Sequence, residues 1–392
     1  MSAIAPLRLA GVGLRTLVGQ ERALLAELLQ TTRRLLSIPR VLQLARDTEV
    51  GTTPHDVVLA HGTFRLLRYR RETPAIYAEP ILFCYALINR PYILDLRPEK
   101  SVVRKYLEQG FDVYMIDWGV PSDGDRNLTL EDYVWGFLRD AVAFVLREHE
   151  CPSVHLLGYC MGGTLAAIFT ALQPASIRTL TLLASPIDFS GKESLLNVWT
   201  DARYFDADGF VDALGNCPAS FLQTCFLFIK PVQNLIEKKI TFYENMSDAG
   251  FVANYFALER WVTDNIPVAG EAFREFVKRL YQRDELVRGE FSLGERRVDL
   301  RQIECPLLLL TAESDHLVPP PSTEGIRPHV GARDIETIRI AAGHVGLVVS
   351  SKAQKAVWPS ATRWLAKRST LSRAGSPQLA TGGGATSPPV NR

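Results

Sequence analysis

The chain has 392 residues, 47% of them apolar, with 44 lysines and arginines against 43 aspartates and glutamates. That length supports a sizeable core and excludes a small disulfide-stapled scaffold, while the balanced charge excludes a dominant nucleic-acid role, which needs a strongly basic face. No run of about 18 apolar residues occurs, so no transmembrane helix is expected, and arginines spread through the first twenty residues do not read as a secretory signal.

Residues 1–50 carry leucines at helical spacing (Leu24, Leu25, Leu28, Leu29, Leu35, Leu36), with Arg22, Arg33, Arg34 and Arg40 on other faces. This predicts an amphipathic helical arm, packed on its own core or docking a partner or apolar particle. From 51 to 189 the pattern alternates between strand and helix. VVLAHGTFRLLRYR (57–70) reads as antiparallel strands, and PILFCYALI (80–88) and DVYMIDWG (112–119) as buried strands. A long amphipathic helix is expected over 129–149, then a strand (153–159), a helix (161–172) and a strand (177–186). Strands alternating with helices predict a mostly parallel sheet with helices on both faces.

Residues 190–298 break this rhythm. They are aromatic, helical in period and without a clear buried strand, and are expected to form an inserted helical cap. The core resumes over 299–368 with strands at 305–314 and 335–343 and a final helix. From Ser369 to Arg392 the chain is rich in Gly, Ser and Pro, the composition of a disordered tail.

The chemistry concentrates in LLGYCMGGTL (156–165). A strand, a sharp G-x-C-x-G turn and a helix make the nucleophile elbow of an α/β-hydrolase fold, with cysteine in place of the usual serine. Gly158 and Gly162 keep Cβ atoms out of the turn. The helix beginning at Met161 turns its positive end towards Cys160, which favours a thiolate. The Met161 N–H is one expected oxyanion donor; the second is expected near Ile88 and Asn89, after an earlier strand. In this fold an acid and then a histidine follow the nucleophile, each just past a late strand. Asp315 and His344 stand at those places. Glu313 rivals Asp315, and His316 rivals His344. The blander readings make Cys160 a small core residue and Asp315 a helix cap. His55, His61, His149, His155 and His329 have no motif around them.

A cysteine elbow suits acyl transfer. Exchange between a thioester substrate and the cysteine is nearly isoenergetic, so the acyl group stays activated towards an alcohol. None of the six cysteines forms a C-x-x-C pair, so no metal site is read from spacing, no cofactor is expected, and free thiols in a reducing cytosol are the simplest account.

With these residues in place, the chain resembles the polyhydroxyalkanoate synthases, and most of all the short class that pairs with a second subunit. The resemblance rests on ALINRPYILDL (86–96), GFDVYMIDWGVP (110–121), LTLEDYV (128–134), GYCMGG (158–163), DHLVPP (315–320) and AGHVG (342–346). It spans about 80 to 366, leaving the first 50 residues and the stretch after Lys367 outside. It implies a cytoplasmic, granule-bound polymerase of 3-hydroxyacyl-CoA, mainly 3-hydroxybutyryl-CoA. Cys160 would carry the acyl group, His344 would be the base, and Asp315 would orient His344 or help deprotonate the incoming hydroxyl. A second subunit, a homo-oligomer and the growing polyester are the implied partners. Met161 stands where the short class often has glutamine. The rival readings are a cysteine-dependent lactone or polyester hydrolase and a non-catalytic granule-binding protein.

Overall fold

A computed structural model describes the backbone of residues 5–191 and 194–372, with side chains from residue 24 onward. Helix α1 (Ala5–Asp47) is 43 residues long, about 65 Å end to end. It lies against the cap helix Ala249–Thr263, and Leu24, Leu25, Leu28, Leu29, Leu35, Leu36 and Leu42 face outward, exposed.

Strands β1 (His55–His61) and β2 (Phe64–Tyr69) form an antiparallel hairpin. Next come β3 (Ile81–Cys84), α2 (Val102–Gln109) and β4 (Val113–Asp117). A π-helical turn (Asp132–Leu138) leads into α3 (Arg139–Glu148). Strand β5 (Val154–Tyr159), helix α4 (Met161–Leu172) and strand β6 (Ile177–Leu183) follow.

Helices α5 (Leu195–Trp199), α6 (Ala207–Leu214), α7 (Ala219–Ile229), α8 (Lys238–Asn245), α9 (Ala249–Thr263) and α10 (Gly270–Glu275) occupy the insertion, and α10 runs on as a π-helical segment, Phe276–Gln282. The insertion leaves the core at Phe189 and comes back at Asp284, and the Phe189 N–H donates to the Asp284 carboxylate at 3.0 Å. A two-residue hairpin, β7 (Ser292–Leu293) with β8 (Arg296–Arg297), follows where only helix was expected. It turns at Gly294 (φ 52°) and buries Phe291 and Leu293. Strands β9 (Leu307–Ala312) and β10 (Ile335–Ile340) then complete the sheet, with helices α11 (Pro320–Glu324), α12 (Gly346–Val349) and α13 (Trp358–Ala366).

The eight long strands form one sheet in the order β1-β2-β4-β3-β5-β6-β9-β10. Its first two pairings, β1 with β2 and β2 with β4, are antiparallel and the remaining five parallel. The inner strands are buried along their whole length because helices cover both faces.

Among the boundaries that differ from the sequence reading are the end of β3 and the C-terminal limit of the core. Strand β3 stops at Cys84, so residues 85–88 form a loop. Both groups of the turn are occupied elsewhere: Trp118 Nε1 donates to the Tyr85 carbonyl at 2.9 Å, and Gly162 of α4 packs against the Cys84 and Tyr85 carbonyls. The C-terminal stretch, expected to lose order at Ser369, stays packed on residues 76–79, just before β3, as far as Ser372. Thr370 donates through N and Oγ1 to buried Glu79 (2.7 and 2.8 Å), and Ala78 N–H and Ser372 N–H close bonds to Thr370 and Ile76 carbonyls. Residues 373–392 of that predicted tail lie outside the described residues.

Candidate active site

Strand β5 carries the chain to Tyr159, and α4 starts at Met161. Cys160 between them takes φ 55° and ψ −128°, a strained backbone for a residue with a Cβ. Bonds on both sides hold it: Cys160 N–H donates to Leu183 O at 3.0 Å, and Gly163 N–H donates to Cys160 O at 2.9 Å. The turn closes only without side chains at its flanks. A Cβ on Gly158 would lie 2.3 Å from Gly163 Cα, and one on Gly162 would lie 2.2 Å from the Cys84 carbonyl oxygen. The sulfur therefore stands above the sheet end at the positive end of a 12-residue helix.

Asp315 lies three residues past β9. Its Oδ1 accepts the Leu317 and Val318 N–H groups, both at 2.9 Å, which aims Oδ2 at His344. His344 Nδ1 donates to that Oδ2 at 2.7 Å, and the two side chains are 9% and 0% exposed. Nδ1 is thus committed, which leaves Nε2 as the ring nitrogen available to Cys160, whose sulfur acts on the ring electrostatically. The expected order of nucleophile, acid and histidine is brought together at one point. The rivals are not: Glu313 is exposed and joined to β10 through its backbone, and His316 is exposed at the cavity wall. Among the other histidines, His155 is buried between Thr179 and Ser369, and burial presses its pKa down to about 3.

Burial opposes a charge on His344. The Asp315 carboxylate, the Cys160 sulfur and the hydrogen bond to Asp315 outweigh it and hold the imidazole pKa up, at about 10. A base raised in the folded state stabilises the fold in full below its unfolded value, about 6.5, and that contribution fades as pH climbs towards 10. Removing either partner must therefore lower the value. In an NMR titration of the ring, Cys160→Ala and Asp315→Asn are each expected to move the His344 midpoint down. A midpoint unmoved by both would contradict the electrostatics described.

Met161 and Ile88 line the same cavity as Cys160. Of the two residues expected around the second oxyanion donor, Asn89 (φ 63°) gives its N–H to Asn265 Oδ1 of the cap at 3.2 Å. The Ile88 N–H is therefore the remaining candidate of that pair.

The cavity holds about 890 Å³, enough for a drug-sized ligand. Its floor is Cys160, Met161 and His344. Its walls are cap aromatics, among them Trp199, Phe205, Phe221, Phe273 and Tyr281, with Lys230, Gln233, Asn234 and Lys238 as polar lining. Two tyrosines escaped the sequence reading. Tyr159 stacks on the His344 ring, its centroid 5.2 Å away and its plane at 26°. Its position next to the nucleophile was the available signal. Tyr281 reaches the cavity from a helix whose aromatics read as ordinary core, so no local signal marked it. All six cysteines are free, and among the described residues no cluster of His, Cys, Asp and Glu could hold a metal ion.

Residues 79–347 match the family model for the alpha/beta hydrolase fold, and residues 17–107 match that for the poly-beta-hydroxybutyrate polymerase (PhaC) N-terminus. A poly(3-hydroxyalkanoate) polymerase subunit PhaC from Allochromatium vinosum is 36% identical over 87% of this chain and 96% of its own. The chain belongs to the PhaC polymerase family. A PhaC subunit from Synechocystis is 37% identical over 88% of this chain and 93% of its own. That from Haloferax mediterranei is 42% identical over 82% of this chain and 66% of its own, so this chain spans about two thirds of that relative's length. A Paleococcus ferrophilus monoacylglycerol lipase shares the fold, with a TM-score of 0.50 at 13% identity, over 77% of this chain and 99% of its own. The PhaC N-terminal match begins at residue 17, inside the arm that had been left outside the resemblance. An amphipathic helix spaced by leucines has little residue identity to recognise, which is why the short motifs alone missed it.

Proposed function

We propose that this chain is the catalytic polymerase of a polyester. It transfers 3-hydroxyacyl groups, 3-hydroxybutyryl first among them, from coenzyme A thioesters to a growing chain. The observation that carries this is a cysteine, not a serine, on the elbow, sharing one cavity with a buried, hydrogen-bonded His344–Asp315 pair under an aromatic cap. The Cys160 sulfur attacks the thioester carbonyl carbon. The carbon–sulfur bond to coenzyme A breaks, and His344 delivers the proton that lets the free thiol leave. The hydroxyl of a second 3-hydroxyacyl group then attacks the Cys160 thioester. His344 takes its proton, an ester bond forms and the cysteine sulfur is released. The developing oxyanion is held by the Met161 and Ile88 N–H groups. Asp315 keeps His344 in the tautomer this needs.

The apolar walls suit a hydrocarbon-rich polyester and keep water from the thioester. Among the described residues no helix is long and apolar enough to cross a membrane. The outward leucines of α1 offer an apolar surface to the polyester granule or to a second synthase subunit, in a cytoplasmic, oligomeric assembly. No prosthetic group takes part in the scheme, and nucleic acid is not a partner.

The test is incubation of the purified chain with 3-hydroxybutyryl-CoA, alone and with a candidate second subunit, following free coenzyme A and turbidity. Coenzyme A release with insoluble polymer is the expected result. Release with only free hydroxy acid would make the protein a hydrolase. No release in either arm, with binding to polyester particles retained, would make it a granule-binding protein.

A further inference from the structure

The triad accounts for two sides of the His344 ring, Asp315 at Nδ1 and Cys160 at the other nitrogen. Its flat face is covered by Tyr159, near-parallel at 26° with centroids 5.2 Å apart. Tyr159 is 2% exposed and is the residue before the nucleophile, in strand β5 paired in register with Leu183. Its backbone is therefore fixed with the elbow, and burial leaves its ring little room to turn. Tyr85 backs it from the loop after β3, with ring centroids 5.8 Å apart. Burial, then the neighbouring Tyr85, Cys160 and Asp315, hold the phenol well above its ordinary pKa and so neutral. Its hydroxyl oxygen is buried with no hydrogen-bond partner among the described residues. The hydroxyl anchors nothing there; the contact with the base is made by the ring.

We propose that Tyr159 is a positioning residue for His344: its ring holds the imidazole in the plane that joins Asp315 to Cys160 and favours the proton-bearing form. The negative face of an aromatic ring attracts a cation stacked on it, so the stacked geometry stabilises imidazolium over imidazole. The titratable groups acting on this ring are Asp315 from the loop after β9 and Cys160 from the elbow; Tyr85 backs Tyr159 and faces Cys160, and Tyr281 of the cap faces Cys160 and Asp315. This inference rests on the reading of Cys160 and His344 as nucleophile and base.

The experiment compares the parent with Tyr159→Phe and Tyr159→Leu. It uses the pH dependence of Cys160 alkylation by iodoacetamide, the NMR titration of His344, and kcat and KM for coenzyme A release. Tyr159→Phe keeps the face and is expected to match the parent in all three. Tyr159→Leu is expected to lower the His344 midpoint by about one pH unit, to move the alkylation profile with it, and to cut kcat about tenfold with KM nearly unchanged. An unmoved titration and alkylation profile in Tyr159→Leu overturns the proposal, even if activity falls, because packing alone would do that. Equal loss in Tyr159→Phe also overturns it. A parent whose Cys160 reacts no faster than a free thiol overturns the catalytic reading and this inference together. Should Tyr159→Leu fail to fold, Tyr159→Met serves with the same readouts. The parent alone gives a further check: the Tyr159 ring current must displace the His344 ring-proton signals, and undisplaced signals overturn the stacking.

Discussion

Replacing Cys160 by alanine is expected to lower coenzyme A release by roughly 10⁵- to 10⁶-fold and to stop polymer formation altogether. Cys160 is the sulfur at the elbow beside His344; the other thiol lining the cavity, Cys225, sits in the cap, where burial raises its pKa and keeps it a poor nucleophile. Folding should survive, since the thiol is half-buried and its removal leaves the backbone bonds to Leu183 and Gly163 in place. The informative companion is Cys160→Ser. An oxygen ester at that position is less activated than a thioester, so acyl transfer to an alcohol loses its downhill drive. The serine variant should accumulate acylated protein on mixing with 3-hydroxybutyryl-CoA and elongate little. Mass spectrometry of the intact protein distinguishes this from a dead variant. Polymer made by Cys160→Ala at anything near the parental rate would remove Cys160 from the mechanism.

The second large effect needs only one added methyl group. Gly162→Ala would place a Cβ 2.2 Å from the Cys84 carbonyl oxygen and 2.4 Å from that of Tyr85. Both obstacles are backbone, at the end of a buried strand, so neither can swing aside. The expected outcome is a loss of about 3 kcal/mol in stability, read from denaturant melts, and a fall in kcat of about a hundredfold as the elbow and the β3 loop are forced apart. The same change at Gly136 is the control, because a Cβ there meets nothing within 4 Å. In that helical position alanine should be neutral or mildly stabilising. Equal behaviour of the two variants would mean that the close approach of α4 to β3 is not needed.

Legibility in the sequence followed the range of the interactions. The elbow could be read because everything it requires lies within Gly158–Gly163. Asp315 and His344 could be placed because each sits just beyond a run of apolar strand residues. Asp315 and Glu313 are harder to separate: two carboxylates with one residue between them differ in which one the Leu317 and Val318 amides turn towards the histidine. Strand β3 was overdrawn because YALI is as apolar as ILFC, and what ends the strand is a contact from Trp118 and another from α4. The core was ended four residues too early at its C-terminus for a similar reason. Ser369–Ser372 look like linker, and Glu79, nearly three hundred residues earlier, holds them in place. The link from Asn265 in the cap to the Asn89 amide has no local trace at all.

The cap departs at Phe189 and comes home at Asp284 within the span of one hydrogen bond. To the sheet, roughly a hundred residues of cap are therefore an excursion between two neighbouring points, and lengthening or rebuilding it costs the host little extra loop-closure entropy. The arrangement is that of an exchangeable cassette. Drift in the cap can reshape the chamber above Cys160, and with it the acyl groups admitted, while β5, β9 and β10 keep the reacting atoms in register. Diversification of substrate range and preservation of the chemistry are carried by different stretches of the same chain.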